Sequence, residues 1–359
     1  MSVKSILSGK SSEDKEFQNI VKSIMPRKEH FKTLSNELAF SKYPIIVSGE
    51  ENNTYEATLV GTAFDYLARA MVAHVLLDNK EKSTVGYVAV KALKRIESKI
   101  SAQEYKLLYN KTILVLTDFI DYIYRNGSFL PKIDSLTELC TRVEWDAWYK
   151  YLQRATSSAF SPIKDVTRII DGAIYLAELE HIFRSGGRLP EKGVASLLES
   201  KPDHLKRDLK GLCEEFERSF INKGLVSPDS VVVFNPKFGV SSYICRGADA
   251  DIYIDGTLYD FKTSKTTGYK WQESAQLTAY FLLDIFANSI EDIDERSDLA
   301  ELRIDNIAFY RARFGQIEFC KVDDIIDESF DDNLYIFGKH MLERFTRFLD
   351  IEVGDFDIE

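Results

Sequence analysis

No run of apolar residues approaches the ~18 that would span a bilayer, so no transmembrane helix and no membrane partner are expected. The opening residues, "MSVKSILSGKSSEDKEFQ", lack the long apolar core and small-residue cleavage site of a secretory leader, and the cytoplasm is the expected location. Cysteine is scarce and scattered. Cys140, Cys213, Cys245 and Cys320 stand far apart, which argues against a zinc knuckle or an iron–sulfur ligand cluster and leaves reduced, mostly buried thiols. His30, His74, His181, His204 and His340 show no metal-ligand spacing. The phosphate-cradling pattern G-x-x-x-x-G-K-[ST] is absent, so this chain is not expected to hydrolyse ATP itself. Fixed-period repeats and low-complexity linkers are also missing.

Positive charge is in short supply as well. The net charge of −11 argues at first against a polyanionic partner. Its distribution softens that reading. Residues 276–359 carry 8 Lys/Arg against 21 Asp/Glu, net −13, while residues 1–275 carry 38 against 36, net +2. The acid lies in runs such as "VDDIIDESFDDN" and "LDIEVGDFDIE", which read as solvated surface. The remainder is near neutral and has room for a basic groove.

What the chain does have is apolar and aromatic mass. Of 359 residues 45% are hydrophobic, with 23 Phe and 18 Tyr, enough buried surface to offset chain entropy and build one large core or two modest ones. Residues 1–200 read as mainly helical. A polar lead and short helix are followed by a helix from Val60 to Leu77, with Phe64, Leu67, Met71 and Val75 at helical spacing and Gly61 or Thr62 as its cap. Helical patterns continue in "VGYVAVKALKRIESKI", "AQEYKLLYNKTILVLTDFIDYIYRN", "LTELCTRVEWDAWYKYLQRA" and "VTRIIDGAIYLAELEHIFRSG". This region could gate substrate or dock a partner.

Residues 201–359 differ in character. Leu205, Leu209, Leu212, Phe216 and Phe220 form one apolar stripe on a helix. Strand signals follow in "SVVVFNPKF", "ADIYI" and "TLYDFKT", then a helix, "WQESAQLTAYFLLDIFANS". Two more strands, "RIDNIAFYRARF" and "IEFCKV", meet at Phe314-Gly315, and a last helix closes the order. The fold class expected is α/β (α+β): a mixed sheet flanked by helices, with a large N-terminal helical region. Whether the helical region packs on the sheet or stands apart is open.

The chemistry concentrates in "RGADADIYIDGTLYDFKTSK". Asp255-Gly256 is a two-residue hairpin signal, because both positions tolerate positive φ. That turn pairs Ile254 with Thr257 and Tyr253 with Leu258. Continued, it sets Asp251 opposite Asp260 and Asp249 opposite Lys262. Side chains alternate along strands, so Asp249, Asp251, Asp260 and Lys262 share one face while Ile252, Ile254, Tyr259 and Phe261 take the other. Facing carboxylates have β-carbons ~5 Å apart and repel unless neutralised. Mg²⁺ or Mn²⁺ would resolve the conflict, and Lys262 could then hold a water or a phosphate oxygen beside the cation. On its own such a hairpin is as readily the solvent face of an antiparallel sheet; its neighbours tip the balance.

Asp251, then Asp260-Phe261-Lys262, then Gln276-Leu277-Thr278-Ala279-Tyr280 resembles the PD-(D/E)XK nuclease superfamily, and more narrowly its RecB-like branch. "FNPKFGVSSYICRGADADI" and, far upstream, "LVGTAFDYLAR" also look like recurring features of uncharacterised proteins of this group. The motifs span about residues 205–322 and draw their strength from order and spacing. The resemblance implies a restriction-endonuclease-like core and Mg²⁺-dependent hydrolysis of phosphodiester bonds, most simply in DNA, during recombination, repair or defence against foreign DNA. It implies Asp251, Asp260 and the Phe261 carbonyl as metal ligands, Lys262 as catalytic lysine, and Gln276 and Tyr280 beside the site, with Gln272 extending their row. Asp249 doubles the first acid, as an accessory ligand or a partner of Lys262. Glu215 is the candidate for an added helical acid; Glu217 also flanks the stripe. Some relatives carry an iron–sulfur cluster, which the scattered cysteines disfavour here. A helicase or ATPase subunit is a further partner the resemblance suggests. Arg311 and Arg313, placed on one strand face, are candidate phosphate contacts. The alternative is a nucleic-acid-binding or scaffolding subunit on a nuclease-like fold, active only in a complex or no longer catalytic; the full motif set disfavours lost catalysis.

Overall fold

The computed structural model describes residues 3–76, 87–123, 165–245, 247–290 and 296–356. The helix expected in "LTELCTRVEWDAWYKYLQRA" and Cys140 lie outside them.

Among the described residues six strands form one mixed sheet, in the order β1-β6-β5-β4-β3-β2. They are β1 (Lys32–Thr33), β2 (Val232–Phe234), β3 (Ile252–Ile254), β4 (Thr257–Lys262), β5 (Asn306–Arg311) and β6 (Gln316–Lys321). Only the central β4–β5 pair is parallel. Eleven α-helices are described: α1 (Val3–Leu7), α2 (Ser12–Ile24), α3 (Thr54–Val75), α4 (Tyr87–Ile96), α5 (Ala102–Ile123), α6 (Ile170–Arg184), α7 (Val194–Leu198), α8 (Asp203–Phe216), α9 (Gly239–Ile244), α10 (Trp271–Ser289) and α11 (Phe330–Phe356). None is long and apolar enough to cross a membrane.

Strand alternation divides the core by sheet face. Ile252, Ile254, Tyr259, Ala308 and Tyr310 pack with α3, α5, α6 and the α8 stripe. Tyr253, Leu258, Ile307 and Phe309 point the other way and pack with α1, α2, α10 and α11. Among the described residues the helical region therefore packs on the sheet, and no packing boundary falls at residue 200. Helices α3 to α7 line one face of the sheet, whereas α1 and α2 belong to the other. The Leu205–Phe220 stripe is buried throughout, and Phe216 and Phe220 stack at 4.7 Å.

One helix starts earlier than its spacing suggests. Asn53, not Gly61 or Thr62, caps α3, accepting from the Glu56 backbone N–H at 2.9 Å. The Glu56 carboxylate reaches back to the Asn52 N–H at 2.7 Å, a reciprocal arrangement that satisfies two donors at the helix start. Gly61 sits inside the helix because α3 runs close over the end of β4. A β-carbon there would meet the Thr263 hydroxyl at 3.2 Å. That close approach carries the far end of α3 to the Asp-rich hairpin.

A buried ion-pair network ties the segment before α3 to the sheet. Arg313 is 1% exposed and donates to both carboxylate oxygens of Asp208 at 2.7 and 3.0 Å, to Glu51 at 3.0 Å and to the Thr263 carbonyl at 2.7 Å. Arg311 is buried as well, but on the opposite face, held by Glu318 and Glu273 at 2.7 Å each. The expected pair of phosphate-contacting arginines on one strand face is thus corrected: both guanidiniums are internal and neutralised by carboxylates. Arg313→Ala is expected to destabilise the fold by roughly 3–5 kcal/mol, because it strands Asp208 as an uncompensated buried charge and leaves Glu51 with Lys265 alone. Denaturant midpoints at unchanged slope would measure it. Arg313→Lys should recover little, since an ammonium cannot reproduce the fork.

Candidate active site

The Asp-Gly turn forms as its chemistry requires, with φ of 43° at Asp255 and 85° at Gly256. It sets the register Ile254↔Thr257, Tyr253↔Leu258 and Ile252↔Tyr259. There the ladder stops. The carboxylate of Asp251 swings in and accepts the Phe261 backbone N–H at 2.5 Å, where a main-chain partner would otherwise sit. Asp249 is not opposite Lys262. The chain has peeled away from β4, and Asp249 bridges Lys237 on the extension of β2. The side-chain bond at Asp251 and the left-handed Asn235 (φ 45°) mark where the two strands part.

This splitting opens the end of β4. Asp260, on the α10 face, is 4% exposed, and its Oδ2 forms an ion pair with Lys262 Nζ but accepts no hydrogen bond of sound geometry. Asp251 lies next to it. Burial pushes the Asp251 carboxyl well above the ordinary range, and the charges of Asp260 and Asp65 push it further. Lys262 goes the other way: burial would strip its proton, but Asp260, Asp251 and Glu273 outweigh burial and hold the ammonium charged. Within a strand the N–H and C=O of one residue point to the same edge, so the Phe261 carbonyl also faces the opening.

Helix α10 covers the opening from the sheet's second face. Gln276 and Tyr280, one turn apart, are joined by Gln276 Nε2 donating to Tyr280 Oη at 2.8 Å. The Tyr280 ring stacks on Phe238 at 5.3 Å. Burial holds its hydroxyl protonated, and Asp249, Asp260 and Asp251 all add to that effect, so the hydroxyl sits among the three acids. Gln272 is exposed and does not extend this row into the site.

Helix α3 closes the other side. Its Asp65 is within electrostatic reach of Asp251 and Asp249, and burial pushes its carboxyl up to about 6 against the pull of Arg69. Arg69 clasps Asp65 through Nε and Nη2 at 3.1 and 2.6 Å and donates through Nη1 to Asn235. Next to Asp65, the Tyr66 hydroxyl donates to Glu180 of α6 at 2.7 Å, and Glu180 in turn pairs with Arg184. Asp249 faces this group. Burial raises its carboxyl, while Arg184, Arg69 and Lys237 pull against the rise. Asp249 is thus no partner of Lys262; it lies between the hairpin and the helical region. Asp65, Arg69, Glu180 and Arg184 were not singled out as site residues. The available signal was the segment "LVGTAFDYLAR", which holds the first two one helical turn apart.

Glu215 does not join the group. It is buried against the β5–β6 turn on the opposite face of the sheet and pairs with Arg218 at 2.6 Å. Its carboxylate is already satisfied, which corrects its candidacy as a ligand. Glu217, one residue past the end of α8, is exposed.

Among the described residues no three His, Cys, Asp or Glu side chains are arranged as a ready cation cage. The donors on offer at the end of β4 are the carboxylates of Asp251 and Asp260, which act on each other electrostatically, and the Phe261 carbonyl at the open strand edge. Such a set suits a hard cation that retains several waters. The fit rests on Asp260 Oδ2, a buried oxygen whose one partner is the Lys262 ammonium, without hydrogen-bond geometry, and on the repulsion that Asp260 and Asp65 exert on Asp251. No protein-family model, curated protein or solved structure matches the chain significantly.

Proposed function

We propose that this chain is a divalent-metal-dependent nuclease with a PD-(D/E)XK-type, restriction-endonuclease-like core of the RecB-like branch, hydrolysing phosphodiester bonds in DNA. The observation that carries the reading is the buried end of β4. There Asp260 and Lys262 stand on one face, Asp251 reaches across the split hairpin, and a buried acidic oxygen has only the Lys262 ammonium as partner. Asp251, Asp260 and the Phe261 carbonyl would hold Mg²⁺ or Mn²⁺, with Asp65 the nearest further acid. Once bound, the cation supplies Lewis acidity at a phosphoryl oxygen and lowers the pKa of water at the site.

The chain's own residues do the rest. Lys262, kept charged by its acidic neighbours, presents an ammonium where negative charge builds on the phosphoryl group or on the attacking oxygen. Asp260 is its ion-pair partner; were that carboxylate to serve as a metal ligand, Lys262 would be free to turn to substrate. Tyr280 and Gln276, joined to each other, form a polar wall beside the acids that would border the substrate strand. Arg69 fixes the rotamer of Asp65 through a two-point clasp.

The test is incubation of the purified protein with linear duplex, circular duplex and single-stranded DNA, with Mg²⁺, with Mn²⁺ and with chelator. Cleavage of at least one substrate that needs the cation is the expected result. Intact substrates in every arm would refute the assignment for the isolated chain. The three topologies also separate cutting from ends from internal cutting.

A further inference from the structure

We propose that the nucleic-acid backbone approaches the carboxylates across a basic surface built from the C-terminal turn of α6 and the packed edge of α4, which gives the helical region its role. The inference rests on the nuclease reading for the identity of the ligand. In a protein with net charge −11, residues 87–99 and 182–192 together carry seven Lys/Arg and two Glu, net +5. All seven basic residues are exposed, including Lys94, Arg95, Lys99, Arg184, Arg188 and Lys192.

The two segments are one surface. Arg95 Nη1 donates to the Phe183 carbonyl at 2.7 Å, and Lys99 Nζ to the Gly186 and Gly187 carbonyls at 3.2 and 3.0 Å. These bonds serve the carbonyls at the end of α6, an ordinary task for cations at a helix C-terminus. They also leave the charge in place at the surface. Gly186 and Gly187 both adopt positive φ; a β-carbon on Gly186 would meet nothing within 4 Å, whereas one on Gly187 would meet Lys99 Nζ at 2.8 Å, so the turn is open at Gly186 with the Lys99 ammonium beside it.

The surface begins at the acids. Arg184, 69% exposed, pairs with Glu180, which holds Tyr66 at 2.7 Å, next to Asp65. Arg184 is also the foremost cation acting on Asp249. A phosphate chain lying along Arg188, Lys94 and Arg184 therefore leads toward the end of β4. Phosphate contacts of this kind position a strand without reading its bases, as a nuclease of broad sequence tolerance requires.

Fluorescence anisotropy tests this with labelled single-stranded and duplex DNA in chelator, where no cleavage occurs. The Lys94→Glu/Arg188→Glu double variant should bind roughly tenfold or more weakly than the wild type and lower the salt slope of log K by about 2. Lys223→Glu, in the turn after α8, should bind as the wild type does. Unchanged affinity and slope in the double variant, an equal loss in Lys223→Glu, or no DNA binding by the wild type would overturn the proposal. Its failure is separable from that of the nuclease reading. Intact DNA in every cation arm beside salt-dependent binding that the double variant loses sinks the nuclease assignment and leaves the surface standing; cation-dependent cleavage beside unchanged binding by the double variant does the reverse.

Discussion

Asp260→Asn should lose roughly a thousandfold or more of its Mg²⁺-dependent cleavage while folding as the wild type does. The amide keeps the shape of the carboxylate at a buried position and removes one of the converging charges. Asp260 donates nothing in the structure; its buried Oδ2 serves as the ion-pair partner of Lys262. Lys262→Ala should be as inactive, and for a different reason. It removes the one ammonium that Asp260, Asp251 and Glu273 together hold charged. It also leaves Asp260 and Asp251 beside each other without that cation, so its metal-free stability should fall where that of Asp260→Asn does not. Circular dichroism and thermal melts of both variants, beside single-turnover cleavage, separate the chemical loss from the structural one. Full activity in both would remove these residues from any catalytic role.

The second large effect concerns stability. Asp251→Asn should make the metal-free protein more stable at pH 8 by roughly 1–3 kcal/mol, the scale of relieving like-charge repulsion in a buried site. The sign follows from linkage. The folded-state carboxyls of Asp251, Asp249 and Asp65 are raised above their ordinary values, Asp65 to about 6. Between the ordinary aspartate range and those raised values the folded state binds more protons than the unfolded one. Stability from these groups therefore declines as pH rises through the window, and the full penalty is present above it. At pH 4 and below the wild type and Asp251→Asn should converge. Mg²⁺ should raise the wild-type melting temperature at pH 8 more than at pH 5 and scarcely move the variant. A variant less stable than the wild type at pH 8 would mean that the Asp251 charge is compensated within the chain.

The site was legible where local chemistry decides structure. The Asp-Gly turn admits one common hairpin geometry, and that geometry dictates which residues face each other for three pairs. The period of Leu205, Leu209, Leu212, Phe216 and Phe220 likewise has one helical solution, and all five are buried. Legibility ended at the fourth pair. A carboxylate can compete with a main-chain acceptor for an N–H, and nothing in the local pattern announces that Asp251 does so with Phe261. Once it does, the strands part, and Asp249 goes to Lys237 instead of Lys262.

The contribution of α3 and α6 was hidden for another reason. Asp65 and Glu180 are separated from Asp251 by long stretches of chain, and their approach depends on how helices cross the sheet. Gly61 carries some of that information, since its missing side chain is what admits Thr263. The fates of Arg311 and Arg313 were hidden too. Alternation predicts a shared face only while the strand continues, and β5 ends at Arg311. Their partners, Glu318, Glu273, Asp208 and Glu51, lie on four separate segments.

The most direct measurement is a Mn²⁺ titration of the purified protein, read by the loss of the free-ion electron paramagnetic resonance signal and repeated with Asp251→Asn and Asp260→Asn. The account predicts saturable binding by the wild type, displaced by Mg²⁺ and abolished or severely weakened in both variants. Binding that is absent from the wild type, or equal in all three proteins, would contradict it.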